Sequence, residues 1–326
     1  MKYLVTGATG LLGRHLTRAL EVAGHEVVPY SRSAGGDVLD TERVRQFARG
    51  CDGTFHCAGN VSRSPDLAEE LYRVHVEGTK SVLDACAAAG VGRVVMASTS
   101  GTVAVSEDPG RIATEEDPVP IHLIARWPYY RAKLFAERAA LARSSSALEV
   151  ISVNPSLLLG PGDLGGSSTE DVRLFLESAI RAVPAGGLSF VDARDAAKAM
   201  VLAMLRGRPG HRYLVGACNL TVKEFFARLE RISGVRAPRL PMPRSRDLAR
   251  LGMTLFKRAT SRLGVPASVD PVGVDMAQCF WYLSADKAKT ELGWTARDSG
   301  ETLYDTVEDL RERGVVWPRN RSVGTA

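Results

Sequence analysis

Apolar positions open the chain as a continuous run, Tyr3–Val5, which gives way to the glycine-rich stretch Thr6–Gly13. That pattern predicts a buried strand ending in a tight turn. A helical pattern then runs through Leu16, Leu20 and Val22, and Gly24 closes the helix before a second strand-like run, Glu26–Tyr30. The alternation continues with a helix over Thr41–Ala48, a strand over Gly53–Cys57, and a long helix through Leu67, Leu71, Val74, Val82 and Cys86. A strand over Arg93–Ala97 follows. After a loop rich in acids and prolines come a helix over Tyr129–Leu141 and a strand over Leu148–Val153. Strands alternating with helices of about ten residues or more predict parallel βαβ units, and so an α/β chain with a doubly wound sheet.

Beyond Pro155 the regularity fades. Gly160-Pro161-Gly162 and Gly165–Ser168 mark loops, Phe190–Asp192 reads as a short strand feeding a helix over Ala193–Met204, and Arg212–Val215 as another strand. A helix is expected near 244–261, another over Glu301–Arg313, and fraying over Asn320–Ala326. The expected division is a first domain over 1–165, to which segments near 187–220 return, and a smaller interleaved domain over 166–326.

Composition narrows this little. A chain of 326 residues, 45% hydrophobic and 24% charged, is an ordinary globular sequence. No apolar run reaches the ~18 residues of a membrane helix. Met1–Val5 lacks the basic head and apolar middle of an export signal. Five scattered cysteines without a C-x-x-C pair predict neither a disulfide framework nor a metal site, and suit a reducing cytoplasm. The net charge of +5 is concentrated: residues 236–262 hold eight Lys or Arg against one acid, Asp247. That stretch reads either as a solvated helix face or as a docking site for an anionic substrate tail or an acidic surface. Its cations are not interleaved with stacking aromatics, so nucleic acid is not an expected partner.

The candidate chemistry begins at Gly7-x-x-Gly10-x-x-Gly13, between the first strand and the first helix. Glycines there let the backbone approach a pyrophosphate, and the helix N-terminus favours its charge, as in a Rossmann-type dinucleotide site. The second strand ends in Ser31-Arg32-Ser33, with no acid until Asp37. A carboxylate at the strand end would hold the ribose 2′-hydroxyl of NAD, whereas a guanidinium flanked by hydroxyls suits the 2′-phosphate of NADP. NADP is therefore expected over NAD.

Tyr129 and Lys133 stand one helical turn apart and share a face. A phenol titrates near ~10, and a cation beside it is expected to bring its proton equilibrium closer to neutrality. Ligands collect at strand carboxyl ends, where Ser98-Thr99-Ser100 follows the fourth strand and can hold a substrate oxygen. Elsewhere, Glu115-Glu116-Asp117 reads as a solvated loop and Trp127-Pro128 as the anchor of the Tyr129 helix. Phe280-Trp281-Tyr282 reads as core or cleft lining.

Together these residues resemble the extended branch of the short-chain dehydrogenase/reductase superfamily, which includes nucleotide-sugar epimerases and dehydratases, dihydroflavonol-4-reductase-like reductases and 3β-hydroxysteroid dehydrogenases. Thr6–Gly13 is similar to its TGxxGxxG turn, and Gly36-Asp37-Val38 to its adenine-contacting segment. His56-Cys57-Ala58-Gly59 resembles the loop along the cofactor, and Tyr129–Lys133 the YxxxK pair. Val191–Ala197 and Leu283–Trp294 resemble the late VDxxDxA and C-terminal signatures. The resemblance implies a cofactor lined by Gly7, Thr9, Gly10, Leu11, Leu12, Gly13, Ser31, Arg32, Asp37, Val38, Cys57, Ala58, Gly59, Tyr129, Lys133 and Pro155. It also implies a Thr99–Tyr129–Lys133 triad and a homodimer through the helices near 66–88 and Tyr129.

Three departures refine it. His75 stands where the branch usually has Asn in N-V-x-G-T; it reads as a replacement for a helix-bending or water-holding amide, or as a plain helix-face histidine. Thr99 stands where Ser is commoner. The R-x-x-N-x-Y-G-P stretch of nucleotide-sugar enzymes becomes Asn154-Pro155-Ser156-Leu157-Leu158-Leu159-Gly160-Pro161, with Asn in place of the Arg and Leu157 in place of the Asn. An N-P-S opening is similar to dihydroflavonol-reductase-like members and to bacterial proteins labelled hopanoid-associated sugar epimerases. The expected activity is NADP-dependent reduction of a small-molecule carbonyl, or oxidation of the alcohol. The alternatives are an epimerase or dehydratase that keeps its cofactor, and a non-catalytic NADP sensor or assembly factor.

Overall fold

The computed structural model describes residues 1–243 and 271–316. The helix expected near 244–261, most of the basic stretch and the tail Asn320–Ala326 lie outside the described residues.

Strand β1 (Lys2–Thr6) is apolar on both faces because both are covered. Tyr3 and Val5 join one core with Leu16 and Leu20 of α1 (Leu11–Val22), while Leu4 points to the other side. The same division recurs in β4 (Arg93–Ala97), where Val95 and Ala97 face the first core and Val94 and Met96 the second. With β2 (Glu26–Tyr30), β3 (Gly53–His56), β5 (Glu149–Pro155) and β9 (Arg212–Val215) these strands form a six-stranded parallel sheet, ordered β2-β1-β3-β4-β5-β9. Helix α2 (Thr41–Ala48) packs on α4 (Gly78–Ala89) and α4 on α6 (Pro128–Leu141), while α8 (Ala193–Arg206) packs on α1. Because β2 and β3 flank β1 on opposite sides, the connections diverge there. A crevice opens at the carboxyl ends of β1 and β3, where ligands of such sheets bind.

The long helix expected through Leu67–Cys86 is broken. A 3-10 turn, Pro65–Leu67, leads into α3 (Ala68–Tyr72), then a π-helical turn over Arg73–Glu77, then α4. The π turn buries His75 and Val76 together. Short α5 (Ile121–Ile124) precedes α6, whose start is fixed by Pro128 in its first turn and by the buried Trp127, whose indole N–H donates to Asp275 at 3.2 Å.

A second, three-stranded sheet places β8 (Gly187–Asp192) parallel to β6 (Leu157–Leu159) and antiparallel to β10 (Cys218–Thr221). The pair β7 (Ala182–Val183) and β11 (Leu240–Pro241) stands apart. Helices α7 (Glu170–Leu176), α9 (Val222–Ser233) and α11 (Ser299–Glu312) share the second sheet's core, with Phe175, Phe190, Phe225, Phe226 and Leu303 in one cluster. Helix α10 (Pro271–Ala277) carries Asp275 and leads to Trp281, whose indole N–H donates to the Met276 carbonyl at 3.0 Å.

The late signatures lie between the six-stranded sheet and the three-stranded one. Asp192 caps α8 by accepting the Arg194 amide at 2.8 Å, and Arg194 also reaches Asp305 of α11. Burial opposes its charge, but the Arg194 contacts hold the Asp192 carboxyl below its ordinary range. Asp195 accepts the Arg297 amide at 2.8 Å, and its carbonyl accepts the Trp294 indole N–H at 2.9 Å. Leu283, Ala285, Ala288, Leu292 and Trp294 all pack into the first core. Among the described residues no helix is long and apolar enough to cross a membrane.

Candidate active site

The glycine turn is forced by close approach. Gly7 has φ +71°, and a Cβ on it would lie 2.6 Å from the backbone nitrogen of Ala58, so the loops after β1 and β3 touch at the crevice. A Cβ on Gly13 would overlap the Gly7 carbonyl. Gly10 caps α1 with no side chain bonded to its first turn and no acid there, leaving its N-terminal amides available to an anion. Leu12 is committed to the core by its side chain, and only its backbone can serve a ligand. This cradle, which any side chain would fill, fits a dinucleotide pyrophosphate.

At the end of β2 the hydroxyls of Thr9, Ser31 and Ser33 form a chain, each step 3.1 Å. The Arg32 guanidinium beside them is exposed, 4.0 Å from Glu70. The Asp37 carboxylate accepts the Leu39 amide at 2.9 Å, and its carbonyl accepts the Tyr30 hydroxyl at 2.7 Å. Val38 packs against Gly78 at the start of α4. Cys57, Ala58 and Gly59 follow β3, with the Cys57 amide donating to the Thr6 carbonyl at 3.0 Å. Burial pushes the Cys57 thiol up to about 12, so it is not a reactive thiolate at neutral pH. Pro155 ends β5 in register with Val215 and is buried.

Beneath this loop lies His75. Its Nε2 is 2.8 Å from the Asn60 carbonyl, which makes Nε2 the protonated nitrogen. Its ring meets Tyr129 edge-on at 5.5 Å, and a Cβ on Gly59 would strike it. The plain helix-face reading of His75 is therefore set aside: the π turn carries it into contact with both loop and phenol. His56 is buried between Thr6 at 2.7 Å and Thr79 at 3.0 Å. Burial, and then the charge of Lys133, lower both imidazoles to about 3, so both rings stay neutral at physiological pH.

On α6, Tyr129, Lys133 and Glu137 form one stripe along the residues that follow β4. Lys133 donates to the Ala97 carbonyl at 2.8 Å, two residues before Thr99. Thr99 is extended and caps a 3-10 turn over Ser100–Thr102, accepting the Gly101 amide at 3.3 Å. Burial raises the Tyr129 phenol above its ordinary range and Tyr130 adds to this, while Lys133 donates to the Ala97 carbonyl. The expected lowering by Lys133 is thus absent from this arrangement, because desolvation dominates. Burial brings Lys133 itself down to about 8.

The opposite wall is aromatic. Tyr130 packs on Trp281 at 4.9 Å and meets Trp127 at 6.0 Å, and Gly101 has no room for a side chain against the Tyr130 ring. Arg63, after β3, holds Asp171 of α7 in a bidentate pair at 2.9 and 3.3 Å.

Sequence reasoning did not find Glu137. It is fully buried, and its Oε2 accepts from Ser98, from Thr102 at 3.2 Å and from Asn154 at 2.5 Å. The signal available was its place four residues beyond Lys133. Nor is Glu115 solvated: it is half-buried and accepts the Leu214 amide at 2.8 Å at the edge of the large sheet.

A sequence model of the NAD dependent epimerase/dehydratase family matches residues 3–216, spanning the cradle, the α6 stripe and the return into β9. The chain belongs to that family. A dihydroflavonol 4-reductase-like protein of Synechocystis sp. is 31% identical over 96% of both chains. Sterol demethylase protein B of Methylococcus capsulatus is 30% identical over 97% of this chain and all of its own. The solved structure of MoeE5 with UDP-glucuronic acid and NAD superimposes with a TM-score of 0.71, at 25% identity, over 96% of this chain and 100% of that one. As a member of the epimerase/dehydratase family the chain has an NAD(P)-binding fold, and the resemblance to the extended branch holds.

Proposed function

We propose that this protein is an NADP-dependent reductase that delivers a proton from Tyr129 to the carbonyl oxygen of a small, weakly polar molecule. The observation that carries the reading is the commitment of Asn154. Its amide nitrogen serves the Thr99 carbonyl at 3.1 Å, Thr102 at 3.1 Å and Glu137, and its amide oxygen accepts from Ser152 at 2.8 Å. No donor is left on it for a substrate diphosphate, and the following Leu157 offers none. The Tyr130 and Trp281 rings, packed at 4.9 Å, suit an apolar body, and the reductase-named relative agrees with it.

When bound, the cofactor supplies or takes up the hydride. Thr99 orients the substrate oxygen. Tyr129, kept protonated by burial, gives its proton to the forming alkoxide, and Lys133 holds a positive charge beside the cofactor ribose and the phenol. Two copies pair through α3, α4 and α6, whose outer faces expose Tyr72 and Phe135.

The test is a panel of ketones and aldehydes with NADPH, run beside nucleotide sugars. Net oxidation of NADPH by a carbonyl compound is expected; a nucleotide sugar converted with no net cofactor change would make the protein an epimerase. The choice of NADP rests on Arg32 and the hydroxyl chain beside it. Arg32→Glu is expected to weaken NADPH by roughly 10- to 100-fold, the loss of a charge-assisted contact, with NADH affinity held or improved. Equal loss for both cofactors in a titration would contradict that assignment.

A further inference from the structure

We infer that Glu137 is a positioning residue of the catalytic centre: one buried carboxylate fixes the loop that carries Thr99 and stands one helical turn from Lys133. The inference rests on the proposed roles of Thr99 and Lys133.

Three donors converge on Glu137 Oε2 from two strand ends. Ser98 precedes Thr99, Thr102 closes the turn that Thr99 caps, and Asn154 comes from β5. Asn154 also holds the Thr99 carbonyl at 3.1 Å, and the single Thr102 hydroxyl proton is shared between Glu137 and that carbonyl at 3.0 Å. Thr99 is therefore bracketed on both sides by groups that Glu137 aims, although Glu137 does not touch it. The second oxygen, Oε1, lies 3.2 Å from the Arg212 guanidinium of β9. A fully buried carboxylate is costly, and an apolar side chain of the same volume would pack as well. Its charge is paired with Arg212 and also acts on Lys133, one helical turn away.

The groups facing Lys133 are Glu137 on its own helix, His56 at the end of β3 and Cys57 after it, His75 on the π turn and the Ala97 carbonyl on β4. Both imidazoles are neutral, so Cys57 and then Glu137 are the groups that favour the Lys133 charge, and Glu137 is the carboxylate of the two. It opposes the burial that brings Lys133 down to about 8. Removing it lowers Lys133 further, so the protonated form is lost at a lower pH.

The test uses Glu137→Gln in the full chain and reads two quantities. One is the pH dependence of NADPH affinity, followed by the fluorescence of the bound cofactor. The other is kcat against KM for carbonyl reduction. The alkaline limb of NADPH binding is expected to move to lower pH. At pH 7, kcat is expected to fall roughly 10- to 100-fold with the substrate KM little changed. Arg212→Gln, which removes the partner cation, is expected to move the limb the opposite way, and it supplies the answer if Glu137→Gln does not fold. Limbs unmoved in the folded variants, with activity lost only in proportion to stability, would overturn the inference. Because the binding limb needs no turnover, failure of the reductase reading would show separately, as normal NADPH binding with no carbonyl reduced.

Discussion

Tyr129→Phe is expected to lower kcat for carbonyl reduction by about 10²- to 10⁴-fold, the usual worth of a positioned proton donor. The substitution removes one oxygen and keeps the ring that meets His75 at 5.5 Å and Tyr130 at 5.0 Å. Packing and the cofactor cradle should survive, so NADPH affinity is expected within about twofold of the parent, the pattern of an interaction made only in the transition state. The size of the effect follows from the surroundings. Neither His56 nor His75 can act as the acid, because burial holds both neutral at physiological pH. Tyr130 is the remaining phenol at hand, but it is packed against Gly101 and Trp281 on the other wall. Steady-state kinetics beside a cofactor titration would check this, and a variant turning over at the parent rate would remove Tyr129 from the chemistry.

Gly7→Ala is expected to abolish dinucleotide binding, and Gly50→Ala separates the reasons. Both glycines have left-handed backbones, with φ +71° and +72°, but nothing lies within 4 Å of the Cβ position at Gly50. Gly50→Ala therefore bears only the backbone penalty, about 1–2 kcal/mol of stability. Gly7→Ala bears the same penalty and also drives a methyl into the backbone of Cys57 and Ala58, where the loops after β1 and β3 must meet. A loss of NADPH affinity of ~100-fold or more is expected for Gly7→Ala, against little change for Gly50→Ala. Thermal melts and titrations of the two variants would check it. Equal behaviour would mean that close approach is not what the cradle requires.

The central sheet and the cradle were legible because each rests on a local rule. The run Tyr3–Val5 is apolar throughout, as a strand covered on both faces must be, and Gly7 and Gly13 beyond it sit where the backbone has no room for side chains. The Tyr129 and Lys133 pairing was legible for the same reason, since one helical turn fixes a shared face. Where long-range contacts decide, the sequence was silent. Glu137 reads as an ordinary helix-face acid until Asn154 and Arg212, from two different strands, close over it. Glu115 reads as solvated until the Leu214 amide, 99 residues on, needs an acceptor. The break at Arg73–Glu77 was hidden because Leu71, Val74 and Val82 keep a helical rhythm across it, while the π turn that displaces His75 leaves no mark on that rhythm. The lowered phenol expected of Tyr129 is not found, because burial and then Tyr130 raise it and no effect of the Lys133 charge opposes them.

The most direct measurement follows a deuterium label from C4 of NADPH. With a carbonyl substrate from the panel, one label is expected in each alcohol released and one NADPH oxidised per turnover, both lost together in Tyr129→Phe. A product formed without consumption of NADPH and without label would contradict the account.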